Sequence, residues 1–434
     1  MEKAASRRSP ASCTTFLSLA FGLSVALTAC GGGGGGGEGP PVGPPAAPPP
    51  AGPVQPPTFS GLPDFAAAVG VVGQPGFTTG AANGGDPIPG GATLFDPAGV
   101  AVSPDGTLFI SDAANQRLLG FRELPATLGQ AADFVLGQPD MSSNGPIVEP
   151  DGFKPGAVSV GFGKVAVADR AHNRVLIYDA VPTDGTARPA VVVGQPTIEA
   201  GDPGCDKDSL SAPKGVHITP DGKLVVADTD NARVLIWKEV PTVDGAEADV
   251  VLGQAGFDSC DQNAGAGATP DRATLRLPST VWSDGTRMAV ADAGNNRVLL
   301  WDAVLMSLPT GQLPDRVLGQ GNFTSASFAT TGANTLIFPR GVSFNGEYLA
   351  VADPGNNRVL LWNEWPSQNG QPANIVIGQR NFLLSSRDDS NGDGTPDDAP
   401  SGQTLNAPFG VTFHQDKLLV IDESNNRLLI FKSP

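Results

Sequence analysis

The chain has 434 residues, with 27 Lys and Arg against 44 Asp and Glu, and a formal net charge of −17. So acidic a chain argues against nucleic acid and anionic lipid surfaces as general partners, because charges of the same sign repel. With 56 Gly and 41 Pro but only 16% charged residues, the composition favours an extracytoplasmic all-β protein.

The first residues are typical of a secretion signal. Basic residues precede an apolar stretch over residues 16–27, which is too short to span a bilayer and indicates a signal peptide. The stretch ends in the sequence LTAC, which resembles the lipobox of bacterial lipoproteins. That resemblance implies that residues 1–29 are removed and that Cys30 carries the lipid. Ordinary secretion with cleavage nearby is the alternative.

The next segment, residues 30–58, is a glycine run followed by Pro, Ala and Gly with almost no apolar side chains. It cannot bury a core, so we expect a disordered tether, semi-extended in its proline part at roughly 3 Å per residue. Gly31, where an inner-membrane retention signal has Asp, favours the outer membrane. We therefore expect residues 59–434 to form a lipid-anchored domain in the periplasm or at the cell surface.

Residues 59–434 repeat one phrase six times: a Pro-x-Gly-Val-like turn, a short apolar run, Asp-x-x-x-x-Arg and Gly-Gln. The Asp/Arg pairs are Asp112/Arg117, Asp169/Arg174, Asp228/Arg233, Asp292/Arg297, Asp353/Arg358 and Asp422/Arg427. The Gly-Gln pairs are 73–74, 137–138, 194–195, 253–254, 319–320 and 378–379. The first Gly-Gln precedes the first Asp/Arg pair, and none follows the last pair. This offset predicts that the repeats close into a ring.

Each repeat predicts four short strands separated by Gly, Pro and Asp turns. In the third repeat they are 215–218, 223–227, 234–237 and 249–252. A four-stranded antiparallel meander repeated six times is typical of a six-bladed β-propeller. The last repeat has only three strands, near 410–413, 417–421 and 427–431. Residues 69–72 are therefore predicted to complete the last blade, which removes two open sheet edges.

The repeated phrase, as in LVVADTDNARVL over residues 224–235, resembles the NHL repeat family over about residues 65–432. The resemblance implies a six-bladed propeller with a binding role and no particular ligand. The Val-x-Gly-Gln-x-x-Phe elements are similar to those of bacterial secreted members. We expect a monomer.

The Asp/Arg pairs are interpreted as scaffold, because a residue needed once for chemistry would not occur six times. The Asp is expected to accept backbone N–H groups of its own turn and to face the Arg. Four residues after each Arg lies an aromatic residue that we expect to pack between blades: Phe121, Tyr178, Trp237, Trp301, Trp362 and Phe431.

Cys205 and Cys260 lie in equivalent loops of consecutive repeats. An oxidising periplasm permits a disulfide between them. Two free thiols remain the alternative, because spacing alone does not establish the geometry that a disulfide needs.

The longest loop, between Gln379 and Pro408, contains the sequence DSNGDGTPDD. Its spacing of oxygen-bearing residues around a glycine turn resembles an EF-hand-like or thrombospondin-type calcium loop. Pro400 occupies the twelfth place, where a carboxylate is usual, and Asp398 is the substitute. The expected ligands of a structural Ca²⁺ are Asp389, Asn391, Asp393, Thr395, Asp397 and Asp398. A solvated acidic loop is the alternative.

One position of the predicted first strands varies between repeats. It is occupied by Ala101, Ser159, His217, Trp282, Ser343 and Thr412. Small residues suit the crowded centre of a ring, so His217 and Trp282 are candidate ligand-binding residues. Around the repeated Pro lie four more candidates, Lys154, Lys214, Arg340 and Phe409. They could hold a carboxylate or an acidic glycan; ordinary rim charge and a packed histidine are the alternative.

We expect a membrane-tethered binding or scaffold propeller whose variable loops face a protein or glycan of the cell envelope. The alternative is a hydrolase or lyase of the lactonase or amidating-lyase type, which needs carboxylates or histidines around a metal on the axis. The predicted first strands carry no Asp or Glu, and the three histidines do not obviously converge. A ubiquitin-ligase-like adaptor is excluded, because a Gly/Pro tether stands where a zinc domain would be needed. No residue is predicted to be catalytic.

Overall fold

The computed structural model describes residues 58–146, 152–304 and 310–434, all within one compact unit. The predicted signal peptide, Cys30 and the tether up to residue 57 lie outside the described residues. In the described ranges no helix has the length and hydrophobicity needed to cross a membrane.

The described residues form six antiparallel sheets of four strands each, the six blades of a propeller, which confirms the predicted fold. The first strands are β2 (Pro97–Val102), β6 (Pro155–Gly161), β10 (Gly215–Ile218), β14 (Pro278–Ser283), β18 (Val342–Phe344) and β22 (Pro408–His414). The second strands are β3 (Leu108–Asp112), β7 (Lys164–Asp169), β11 (Leu224–Asp228), β15 (Met288–Asp292), β19 (Leu349–Asp353) and β23 (Lys417–Asp422). The third strands are β4 (Arg117–Phe121), β8 (Arg174–Tyr178), β12 (Arg233–Trp237), β16 (Arg297–Trp301), β20 (Arg358–Trp362) and β24 (Arg427–Lys432). The fourth strands are β5 (Phe134–Leu136), β9 (Val191–Val193), β13 (Val250–Leu252), β17 (Arg316–Leu318), β21 (Ile375–Ile377) and β1 (Gly70–Val72).

Helical structure in the described ranges is limited to short 3₁₀ turns. They span Ala82–Gly85, Gln262–Gly265, Ala293–Asn295, Pro354–Asn356 and Glu423–Asn425. The last three of these turns connect a second strand to a third strand. In blade 3, the second strand ends and the third strand begins one residue outside the predicted bounds, because Asp228 and Arg233 pair directly across the ladder and so belong to β11 and β12.

The ring closes as the phase of the repeats predicts. The sheet order of blade 6 is β1-β24-β23-β22, and Gly70 pairs with Ile430 while Val72 pairs with Leu428. Val69, predicted as the first residue of this strand, donates its N–H to the carbonyl of Ile430 just outside it. The N-terminal strand therefore completes the last blade.

A loop that the strand pattern does not predict also connects neighbouring blades. In blade 3, the loop before β13 bonds the fourth strand of blade 2: Gly245 N–H donates to Val192 O, and Asp244 Oδ1 accepts Val192 N–H. Gly245 has a left-handed φ of 63°. This loop thus holds neighbouring blades together at their outer strands.

Blade 6 obtains the same connection from the N-terminal segment. Phe65 N–H donates to Val376 O at 2.9 Å, and Asp64 Oδ1 accepts Val376 N–H at 2.9 Å. Phe65 has a φ of 55°, the conformation of Gly245 in blade 3. Residues 64–72 therefore supply both the missing loop and the missing strand, and Phe59 packs into the same core at 2% exposure.

Each pair of neighbouring blades shares one apolar cluster, and each cluster contains one of the six aromatic residues that follow the Arg. Phe121, for example, lies with Ile421 and Leu428 between blades 1 and 6. All six aromatic side chains are buried. Their predicted role in packing between blades is confirmed.

Candidate functional site

The first strands line a central cavity of about 220 Å³ along the propeller axis. Neighbouring first strands approach closely, which explains the glycine of the Pro-x-Gly-Val turn. A Cβ added to Gly215 would lie 2.6 Å from the carbonyl oxygen of Ser279, and one added to Gly341 would lie 2.2 Å from that of Phe409. At these two positions only glycine permits the spacing.

The channel has two different ends. In blade 3, Gly215 pairs with Ala227, next to Asp228, whereas Ile218 pairs with Leu224 beside the turn between the first two strands. We call the first the Asp/Arg end and the second the turn end. The predicted ligand-binding residues are divided between them: Lys214 lies at the Asp/Arg end, and His217 lies toward the turn end.

The Asp/Arg pairs are buried ion pairs in all six blades, with Nε to Oδ2 distances of 2.7–2.8 Å. In blade 3, the remaining nitrogens of Arg233 donate to the carbonyl oxygens of Phe257, Asp206 and Ser209. Asp228 and Arg233 are both fully buried. These groups are saturated by the protein itself, which supports their interpretation as scaffold.

The expected partner of the Asp was wrong. Asp228 Oδ1 accepts the N–H of Ser211, which lies in the loop before the first strand, not in the turn that follows Asp228. The five other blades have the same arrangement, with donors Phe95, Lys154, Arg276, Ile337 and Asn406. The Asp thus fixes a loop that is distant in sequence, because β10 separates the two along the chain.

Two further repeated residues complete this scaffold and were not assigned a role from the sequence. Each Gly-Gln glutamine donates from Nε2 to at least two backbone carbonyl groups; Gln195, for example, bonds Asn173 O and Asp202 O. The residue three after each Asp bonds its carboxylate, and in blade 2 this residue is His172, with Nδ1 2.7 Å from Asp169. The six-fold recurrence of the glutamine was the available signal.

Charged side chains from four blades gather at the Asp/Arg end. Arg340 pairs with Glu423 at 2.6 Å and stacks on the ring of Phe409 at 4.7 Å. Burial lowers the pKa of Lys214, and repulsion from Arg170 and Arg340 lowers it further. Burial raises the pKa of Glu423 to about 7, against the opposing effect of Arg340.

Comparison of equivalent positions explains this gathering. Lys214, Arg340 and Phe409 all occupy the place between the repeated Pro and Gly, whereas Lys154 precedes its Pro and is one place out of this series. Arg170 and Glu423, which the sequence interpretation missed, each directly follow the Asp of a pair. Aligning that position across the repeats would have found both.

The turn end carries an aromatic group. Trp282 lies 6.3 Å from His217, 5.4 Å from Phe344 and 5.9 Å from Trp365, measured between ring centroids. Burial lowers the pKa of His217 to about 4, and its Nε2 is 2.8 Å from the carbonyl oxygen of Ser283. His217 is therefore a neutral ring at physiological pH.

The axial channel does not fit the metal that a propeller lactonase or amidating lyase would need. Such a metal is held by several carboxylates or histidines that converge on the axis. The residues lining the cavity include His217 and no carboxylate. His172 is bonded within a turn, and His414 lies at the end of β22.

The residues of the predicted calcium loop lie together, but their carboxylates bond the loop itself. Asp389 is buried and accepts the N–H groups of Gly392, Asp393 and Gly394. Asp397 accepts the N–H of Ser390. In the described ranges, this loop included, no three His, Cys, Asp or Glu side chains form a group able to hold a metal ion.

Cys205 and Cys260 form a disulfide, as the equivalent loops suggested, with Cα atoms 6.3 Å apart. It joins the loops before the third and fourth blades, on the side of the long connections. The alternative of two free thiols is therefore excluded.

No family model matches the chain, and no curated protein matches it. A solved streptogramin B lyase is 12% identical, over 77% of this chain and 92% of that one, with a TM-score of 0.41. A Bacteroides thetaiotaomicron protein of unknown function is 12% identical, over 85% of this chain and 76% of that one, with a TM-score of 0.45. A catalytically inactive virginiamycin B lyase from Staphylococcus aureus with quinupristin is 13% identical, over 78% of this chain and 95% of that one, with a TM-score of 0.40. Likenesses at this level say nothing about activity.

Proposed function

We propose that the chain is an extracytoplasmic binding propeller of the NHL type. In this proposal Cys30 anchors it to the outer membrane, and the Asp/Arg end with its long loops faces a protein or glycan that carries an anionic group. The observation that carries the proposal is the gathering of Lys214, Arg340 and Arg170, from three blades, around one end of the channel.

The electrostatics of this end favour an anionic ligand. The charge of Lys214 is disfavoured by burial and by two neighbouring cations, so an anion between them would stabilise it. Glu423 is half protonated near pH 7, which leaves much of the charge of Arg340 available. Phe409 adds an apolar surface beneath the guanidinium.

The side chains that line the channel favour a binding function over the hydrolase or lyase alternative. One neutral histidine and no carboxylate line the axial cavity, so acid–base and metal-ligating groups do not converge there.

The test is binding of a labelled oligogalacturonate, with envelope pull-down to find the natural ligand. Lys214→Ala with Arg340→Ala should weaken oligogalacturonate binding about 10-fold or more. Lys238→Ala with Lys432→Ala removes the same charge from half-exposed side chains at the turn end and should change it little. Equal effects of the two double variants, or no binding by the parent, would contradict the anionic ligand.

The pH dependence gives a second readout at the same end. As pH falls from 8 to 6, Glu423 gains a proton and the site loses a negative charge, so anion binding should tighten. Glu423→Gln should show a smaller change in affinity between the two pH values than the parent. A parent protein with no pH dependence would contradict the role of Glu423.

Membrane anchoring is tested separately. Cys30→Ser should move the protein from the membrane fraction to the soluble fraction without changing its unfolding. A variant that stays in the membrane fraction would contradict lipidation at this residue.

We further propose that Ca²⁺ staples the loop of residues 389–398. The spacing of its oxygens supports this, and an ionised carboxylate that accepts loop N–H groups keeps further lone pairs. Calcium analysis of the purified protein, and its melting temperature with and without EDTA, are the test. An unchanged melting temperature together with no bound calcium would contradict the proposal.

A further inference from the structure

The turn end of the channel opens into a second pocket, of about 480 Å³, between the turns that join first and second strands. His217 and Trp282 line both this pocket and the axial cavity. Its volume is in the range of small-molecule sites.

The pocket lies where four blades depart from the repeat. His217 and Trp282 stand where the other four blades have Ala, Ser or Thr. Phe162 stands before the turn glycine of blade 2, where blades 1, 3 and 4 have Asp, and it is 64% exposed. Trp365 joins from blade 5. Folding does not require these aromatic rings, because the other blades form the same strands and turns without them.

Trp282 is distinguished from the other tryptophans by its indole N–H. The indole N–H groups of Trp237, Trp301, Trp362 and Trp365 all donate to protein oxygens. Trp282 Nε1 donates to no residue in the described part of the chain. Trp282, which lines the pocket, therefore carries a hydrogen-bond donor that has no partner among the described residues.

His217 supplies the matching acceptor. Its Nε2 is bonded to the carbonyl oxygen of Ser283, which can only accept, so the proton is on Nε2. Because burial keeps the ring neutral, Nδ1 is a bare lone pair. No described residue donates to it.

The charged residues of the pocket neutralise each other. Arg287 pairs with Asp284 at 2.8 Å, and its guanidinium lies 4.8 Å from the ring centre of Phe344 and 5.4 Å from that of Trp365. Asp284 and Arg287 are the charged residues that line the pocket; His217, which also lines it, is neutral. A charged ligand would lose its hydration here without gaining a counter-charge.

We propose that this pocket binds a neutral saccharide. A sugar ring places an apolar face on an aromatic side chain, while each hydroxyl can both accept from Trp282 and donate to His217. A hydrocarbon ligand would leave both groups unsatisfied. The inference rests on the proposed binding role of the propeller, but on a different site from the anionic one.

The experiment begins with a neutral glycan array and continues with titration of maltotriose, cellotriose and tri-N-acetylchitotriose by calorimetry. At least one neutral saccharide should bind. Trp282→Ser, which installs the residue found in blades 2 and 5, should weaken binding about 10-fold or more, and so should His217→Ser. Trp282→Phe keeps a ring in place and controls for packing. It should retain the fold and still bind more weakly than the parent.

The two proposed sites can be tested independently of each other. Lys214→Ala with Arg340→Ala should leave neutral saccharide binding unchanged. Absence of any neutral binder, or affinity that survives both serine variants, would overturn the inference. Binding of oligogalacturonate without binding of any neutral saccharide would also overturn the inference, while supporting the anionic site. Preference for a phenol over every sugar tested would overturn the saccharide as the ligand class.

Discussion

The two ends of the channel are built from the same repeats but differ in what those repeats leave unbonded. At the Asp/Arg end, the six ion pairs are alike, buried and saturated by protein carbonyls. At the turn end, His217 and Trp282 replace small residues and each keeps one polar atom without a described partner. The comparison teaches that repeated polar residues form scaffold here, and that recognition belongs to positions where blades differ. Lys214, Arg340 and Glu423 are differences of the same kind within the regular end.

Both ends depend on the closed ring, so removing the closure should have the largest effect. A chain that begins at residue 73 lacks β1 and the Asp64–Phe65 loop, which leaves β24 as an open edge. We expect loss of the single cooperative unfolding transition in urea, whereas a chain that begins at residue 58 should keep it. If both chains melt alike, the closure does not hold the ring.

The next effect concerns the scaffold. Arg297→Ala leaves Asp292 buried without its partner and should cost about 3–5 kcal/mol of unfolding free energy. Arg122→Ala breaks an exposed pair with Asp133 and should cost about 1 kcal/mol or less. Urea denaturation measures both. Similar costs would break the distinction between scaffold and surface charge.

The stability of a Glu423 variant tests the part of the Asp/Arg end where the blades differ. Its folded pKa, about 7, lies above the usual 4.5, so the ionised carboxylate reduces stability above pH 7. Glu423→Gln should therefore be more stable than the parent at pH 8, by up to about 3 kcal/mol. The advantage should disappear below pH 4.5. An advantage that does not vary with pH would contradict the buried carboxylate.

A His217 variant tests the turn end, and its effect on the pH dependence of the unfolding free energy should have the opposite direction. Its folded pKa, about 4, lies below the usual 6.5, so the unfolded chain takes up a proton first as pH falls. The parent should lose up to about 3 kcal/mol between pH 7 and pH 4 that His217→Ser does not lose. Urea denaturation at the two pH values measures the difference. Parallel losses in parent and variant would contradict a ring that stays neutral in the folded protein.

Much of the fold could be predicted because a repeat gives six independent observations of the same unit. The recurring Asp/Arg spacing, the aromatic four residues later and the missing last Gly-Gln were enough for blade number, blade packing and closure. The equivalent positions of Cys205 and Cys260 indicated a disulfide, and the structure excluded the alternative of two free thiols. The hydrogen-bond partner of the Asp could not be predicted, since it lies in a loop on the other side of the first strand.

The candidate site was only partly predictable. His217 and Trp282 stood out as departures within one repeat position, and Lys214 and Arg340 as cations beside the repeated Pro. Their separation to opposite ends of the channel depends on how far along the first strand each one lies. Aligning the residue after each Asp would have singled out Glu423, but its pairing with Arg340, which lies 83 residues earlier in another blade, could not be predicted from the sequence.

The sequence by itself determined the architecture, because the pattern of a repeat is local and six copies of it must satisfy the same backbone and packing requirements. Only the tertiary structure decided which unique side chains meet. Ring closure brings residues from four blades to one end of an axis, and their mutual distances depend on that closure. Charge neutralisation, unpartnered polar atoms and perturbed pKa values arise from those distances, and so they appear only once the ring is formed.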